Sequence, residues 1–147
     1  MKPFLKNYGI YKPNKNGNGG GMQIQLQENK NQVGDFFLFF QFAKQDISQP
    51  ESKKMLWSDK ASNVCMKMNF ADIEKILLAI KTNSPLEIIH KTDKHTTYLN
   101  WNINQKKPGF YLTVKKDAVQ VALPISPEES VGIELVLINA FNKMLGW

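Results

Sequence analysis

The chain has 147 residues, 42% of them hydrophobic, and a formal net charge of +6. That length suits one domain spanning residues 1–147 with its own core, and the charge favours an anionic partner. A single cysteine, Cys65, excludes an internal disulfide, and the apolar runs are too short to span a bilayer.

All 19 basic residues are lysines. Lysine is a hydrated point charge that neutralises phosphate without reading a base. A codon bias toward Lys and Asn accounts for the missing arginine equally well, but the positive charge stands either way. Cys65 falls in a predicted strand, where it reads as a small apolar residue suited to a reducing compartment. Met1–Lys15 carries lysines but no apolar segment, so it is not a secretory signal. A cytoplasmic protein without membrane contact is the expectation.

In chain order, Tyr8–Lys12 reads as a short strand and Pro13–Gly21 (PNKNGNGGG) as a loop. Met22–Glu28 alternates, with Met22, Ile24 and Leu26 on one face and Gln23, Gln25 and Gln27 on the other. Asp35–Lys44 (DFFLFFQFAK) is the most apolar strand. Both of its faces are aromatic, which burial of one face does not require. Gln45–Lys54 reads as a polar loop, Met55–Ser58 as a short strand, and Ser62–Met68 as a strand with Val64, Met66 and Met68 on one face. Asn69 then offers a helix N-cap, with Asp72 at the capping-box position. Phe70, Ile73, Ile76, Leu77 and Ile80 form the apolar stripe of a helix reaching about Thr82. Ser84–Pro85 ends it.

The second half follows the same plan. Leu86–Lys91, Thr96–Asn104, Phe110–Lys116 and Val119–Ile125 read as strands separated by turn signals. Ser126, Pro127 and Glu129 supply an N-cap, a first-turn proline and a capping box for a helix reaching about Leu145. The offset that carries Asn69 onto Ser126 also carries Val64 onto Val121, Met66 onto Leu123 and Met68 onto Ile125. The fold class is therefore α+β, a unit of four strands and a helix used twice, over about 8–83 and 86–147. The last helix is apolar around nearly all of its circumference, and Gly132 and Ala140 permit close approach. Two readings stand for it: packing between subunits of a homo-oligomer, or a central core helix within one chain.

Catalytic patterns do not emerge. His90 and His95 lie near a turn with no cysteine at metal-ligand spacing, and no nucleophile elbow, dinucleotide fingerprint or phosphate loop is present. Glu128 and Glu129 are explained by helix capping. The expectation is a protein that is not an enzyme and holds no cofactor or metal.

Binding of single-stranded nucleic acid has more support, since single strands are held by lysines along the phosphates and by rings on which bases stack. The candidate lysines are Lys12, Lys15, Lys67, Lys115 and Lys116. The candidate rings are Tyr11, Phe37, Phe39, Trp57, Tyr98, Trp101 and Tyr111. Gln23, Gln25, Asn100 and Asn102 are amides able to bond base edges. For Phe37, Phe39 and Trp101 a place in the core is an equal alternative.

The order of these elements resembles the Whirly-type single-stranded-DNA-binding fold, which is like two copies of the positive cofactor 4 coactivator in one chain. Tyr8–Leu26 (YGIYKPNKNGNGGGMQIQL) resembles the opening of small prokaryotic proteins of that superfamily, and Leu123–Glu129 (LPISPEE) their second strand-to-helix junction. The resemblance covers about Tyr8 to Leu145. It implies two sheets packed crosswise, helices toward an oligomer core, and ssDNA along the β-surfaces with Lys12, Lys15, Gln23 and Gln25 among its contacts. Whirly proteins carry a Lys-Gly-Lys-Ala-Ala-Leu stretch on an early strand, near which Asn18–Met22 (NGGGM) stands here without the lysines. The expected function is binding of ssDNA, or RNA, with little sequence preference, accessory to transcription, replication or repair, in a dimer or tetramer. The alternative is a protein-interaction module using the apolar C-terminal helix.

Overall fold

The computed structural model describes residues 6–147. Residues 1–5, the start of the stretch read above as lacking a secretory signal, lie outside the described residues. Strands β1 (Lys6–Lys12), β2 (Gly20–Glu28), β3 (Phe36–Lys44) and β4 (Asn63–Met68) form one antiparallel sheet in that order, followed by helix α1 (Phe70–Thr82). Strands β5 (Leu86–Lys91), β6 (Thr96–Ile103), β7 (Phe110–Lys116) and β8 (Val119–Ile125) form a second, followed by α2 (Pro127–Leu145). This is the α+β arrangement the repeat predicts.

Alternation decides which face each sheet buries. Met22, Ile24, Leu26, Leu38, Phe40, Phe42, Val64, Met66 and Met68 point inward from the first sheet. Leu99, Trp101, Leu112, Val114, Val121, Leu123 and Ile125 do so from the second, and the two sets fuse into one core. Strand β8 packs against β2, β3 and β4 in turn, as sheets that cross do. At that crossing a Cβ on Gly20 would lie 2.7 Å from the Ala122 carbonyl oxygen, so β8 approaches as only glycine allows.

Both helices start as their sequences dictate. The Asn69 side chain accepts from the Asp72 N–H at 2.8 Å, and the Asp72 carboxylate accepts from the Asn69 N–H at 3.1 Å. Ser126 and Glu129 close the same box at 3.1 and 2.9 Å. Asp72 also meets His90 Nε2 at 2.8 Å, joining α1 to β5.

Helix α2 is not a central core helix of the single chain. Ile133, Leu137 and Ala140 are buried, whereas Val131, Leu135, Ile138 and Leu145 are exposed. Its Gly132 faces the Tyr8 hydroxyl so closely that a Cβ there would lie 2.2 Å from the oxygen. Burial and the nearby Glu129 charge raise the Tyr8 phenol above its ordinary range, against the pull of Lys12.

Met55–Ser58 is not a strand. Only Met55 pairs, through a single bridge to Gln45, because a 3-10 turn over Pro50–Ser52 redirects the chain and Trp57 turns over the first sheet. Gln45 organises this region from a position 2% exposed. Its Oε1 accepts from the Asn14 and Gly19 N–H groups at 2.8 and 3.0 Å, and its Nε2 donates to the Asn14 and Pro50 carbonyls at 3.1 and 3.2 Å. The glycine-rich loop after β1 is thereby tied to the segment after β3. Substituting Gln45→Leu removes all four hydrogen bonds and sets an apolar side chain against those part-buried backbone groups. It should cost about 3 kcal/mol in urea unfolding, with unchanged slope.

Lys12 and Glu129 form a second tie, with Nζ and Oε1 2.8 Å apart. Burial draws the Glu129 carboxyl upward, but hydrogen bonds from Lys12 and Ser126 and the Lys12 charge outweigh it and hold the group below the usual carboxylate range. A folded value below the unfolded one stabilises the protein above the unfolded value, and that stability is lost as pH falls through the folded value. The acid-side decline in urea midpoint should therefore be shallower in Glu129→Gln than in the parent.

Candidate nucleic-acid interface

With the inner faces committed to the core, the outer faces of both sheets carry the remaining side chains. On the first sheet they stand in rows set by strand register. One row is Asn7, Gln25, Phe39 and Lys67; the next is Gly9, Gln23, Gln41 and Cys65; the third is Tyr11, Gly21, Ala43 and Asn63. Phe37 stands beyond the first row, opposite Gln27.

The residues in these rows are linked. Lys67 Nζ sits 3.8 Å from the centre of the Phe37 ring, a cation–π contact that fixes both. Gln25 Nε2 donates to Gln23 Oε1 at 3.0 Å, and Gln23 Nε2 donates to the Tyr11 hydroxyl at 3.3 Å. Trp57 lies over Gly21, whose missing side chain makes room for the indole, and meets Tyr11 edge-on with ring centres 5.9 Å apart. Gln41 and Asn63 hold the Trp57 carbonyl at 3.0 and 2.7 Å. The result is a surface on which half-buried rings alternate with amides beside a lysine.

On the second sheet Tyr98 pairs with Lys115, and Tyr111 stands between Asn102 and Pro124. Both tyrosines and Lys115 are exposed. Asn100 and Asn102 share this outer face. The two outer faces are turned away from each other by the core between them.

The structure thus unites Tyr11, Gln23, Gln25, Phe37, Phe39, Trp57 and Lys67 on one sheet and Tyr98, Tyr111 and Lys115 on the other. Lys15 is exposed in the loop after β1. Three candidates, Trp101, Lys12 and Lys116, fall outside. Trp101 has no exposed surface and packs on Phe110 with ring centres 5.3 Å apart, so no base reaches it. It shares the inward side of β6 with Leu99. Lys12 points to the core side of β1, with Tyr8 and Ile10, and its ammonium is engaged by Glu129. Gln25 is on the outer face but only 5% exposed, so it acts through Gln23. Lys116 stands half-buried on the inward side of β7.

Sequence reasoning missed Gln41 and Asn63. Their signal was the alternation that puts Gln41 with Phe37 and Phe39; the Trp57 carbonyl they hold is a long-range partner no local pattern reveals. Cys65 is on the outer face rather than in the core, and exposed. The packing around its sulfur pushes the thiol above its ordinary value, against the pull of Lys116. Among the described residues no three His, Cys, Asp or Glu side chains converge as a metal site. No helix among them is long and apolar enough to cross a membrane.

The sequence matches no protein-family model and no curated protein. Solved structures do match the fold. The crystal structure of WHY1 from Arabidopsis thaliana aligns with a TM-score of 0.73 over 100% of this chain and 89% of that chain, at 16% identity. The chain therefore has a Whirly-like fold. At that identity the likeness extends to the arrangement of sheets and helices and not to individual side chains.

Filling the space above Gly21 should displace the indole. In a Trp147→Phe background, Gly21→Val is expected to shift tryptophan emission to the red at unchanged circular dichroism, because Trp57 moves into water while Trp101 stays buried.

Proposed function

We propose that this chain binds single-stranded DNA, or RNA, with little sequence preference, and catalyses nothing. One observation carries the reading: Tyr11, Gln23, Phe39, Phe37 and Lys67 share one outward face of adjacent strands, and Trp57 lies over Gly21 on that face beside Tyr11. Rings accept any base because every base has a flat π face, and a lysine neutralises phosphate without reading sequence. The Whirly-like fold supports it. The role is that of a cytoplasmic accessory factor in transcription, replication or repair.

The same reading makes the protein a dimer or tetramer joined through its helices. Val131, Leu135, Ile138 and Leu145 leave an apolar stripe on α2 uncovered by the chain itself, and Leu78 of α1 is exposed as well. That stripe also favours a second reading, a protein-interaction module docking a partner on α2. The readings part on oligonucleotide binding.

Fluorescence anisotropy with labelled oligo-dT and oligo-U tests the proposal. Binding should weaken steeply with salt. Phe39→Ala should lose about tenfold in affinity, the scale of one stacked base. Bound oligonucleotide should also slow alkylation of Cys65, which stands beside Gln41 on that face. No binding at low salt, or binding indifferent to salt, refutes the proposal.

A further inference from the structure

At one end of the second sheet the β6–β7 turn and the outer face border an open cleft of about 510 Å³. Its walls include Asn102, Gln105, Lys106, Lys107, Tyr111 and Pro124. Tyr111 stands between Asn102 and Pro124 on neighbouring strands, so its ring forms the floor, and it is 42% exposed.

The turn is built in advance. Asn104 Oδ1 accepts from the Lys106 and Lys107 N–H groups at 2.9 and 3.2 Å, and the Asn104 N–H donates to the Gly109 carbonyl at 3.0 Å. Gly109 has φ +109°, and a Cβ there would lie 2.1 Å from the Ile125 carbonyl oxygen, so the turn is pressed against the end of β8 in a form only glycine permits. The backbone that carries the two lysines is therefore set beside the tyrosine before any ligand arrives, which lowers the ordering cost of binding. Asn102 makes no side-chain hydrogen bond to another described residue and keeps donor and acceptor available.

We propose that this cleft is a nucleotide subsite for a single strand, separate from the surface of the first sheet. A base lies on Tyr111, the Asn102 amide bonds its edge, and the flanking phosphates lie against Lys106 and Lys107. The chemistry is that of one nucleotide held at three points, by stacking, an amide and charge. Lysines alone would make a patch for any polyanion, and an apolar floor alone would take any flat molecule; their union selects a phosphorylated base. The inference rests on the single-strand reading above and adds a second place of contact to it.

The test compares the parent with Lys106→Gln/Lys107→Gln, Tyr111→Ala, Tyr111→Phe, and a charge-matched control, Lys75→Gln/Lys81→Gln, on α1. Binding of oligo-dT is followed by anisotropy across a salt series. Loss of two phosphate contacts should flatten the log K against log salt slope by about 1.4, where the control changes it little. Tyr111→Ala should lose roughly tenfold, and Tyr111→Phe should keep parental affinity because the ring and not the hydroxyl stacks. If the parent binds and the turn variants behave like the control, the subsite is refuted while the first-sheet surface stands. A flattened slope with Tyr111→Ala unaffected also refutes it, since that describes a charged patch and not a nucleotide site. A parent that binds no oligonucleotide removes both.

Discussion

The structure depends on two antiparallel sheets giving their apolar faces to one another. A sheet of this kind can satisfy its backbone internally and still have one apolar face that must leave water. Here β8 crosses β2, β3 and β4, and the crossing seals Met22, Phe40, Met66 and Leu123 into a common interior. Once that choice is made, parity along each strand decides the rest. Residues one position away from the core residues meet no opposing sheet and face outward. Phe37, Phe39 and Tyr11 are on display because Leu38, Phe40 and Ile10 are not.

The ties around the core serve the same end. Lys12 and Glu129 join β1 to the start of α2, Asp72 and His90 join α1 to β5, and Gln45 holds the long loops of the first half. Neither of the two side-chain pairs is on a ring-bearing face. The division matters for the chemistry proposed, because a lysine already engaged by a carboxylate contributes little to phosphate binding, whereas Lys67 is held by a ring and keeps its charge unpaired by acid.

Much of this was legible in the sequence, because alternation and capping are local. The Met22–Glu28 pattern, the Asn69 and Ser126 boxes, and the shared offset between halves are all rules a strand or helix obeys within a few residues. Trp101 was legible too, had parity been followed: it stands two residues from Leu99, and its inward direction follows from that spacing. Lys12 likewise shares parity with Ile10 rather than with Tyr11. Other features were beyond local rules. Asp35–Lys44 is aromatic on both faces, so only its register against Gln23 and Gln25 shows which rings face out. Gln45 reads as a loop residue because three of its four hydrogen bonds go to Asn14 and Gly19, far from it in the chain. Met55–Ser58 has strand-like composition, but its apolar tryptophan satisfies itself by lying on Gly21 rather than by joining a ladder.

The two halves also show where a repeat is held and where it is released. Val64, Met66 and Met68 meet the same demand as Val121, Leu123 and Ile125, because both sets fill one densely packed interior in which a change of volume is felt at once. The outer faces carry no such demand and have become unlike. The first is roofed by Trp57 on a long loop and threaded by glutamines; the second is open, with Tyr98 and Tyr111 bare and a lysine-bearing turn at one end. If packing alone shaped these faces, exposed rings would be the side chains to go, since an outward tyrosine or phenylalanine gains nothing from a core it does not touch. Their presence on both sheets, beside amides and lysines as well as Trp57 and Pro124, fits the flat, charged ligand proposed above.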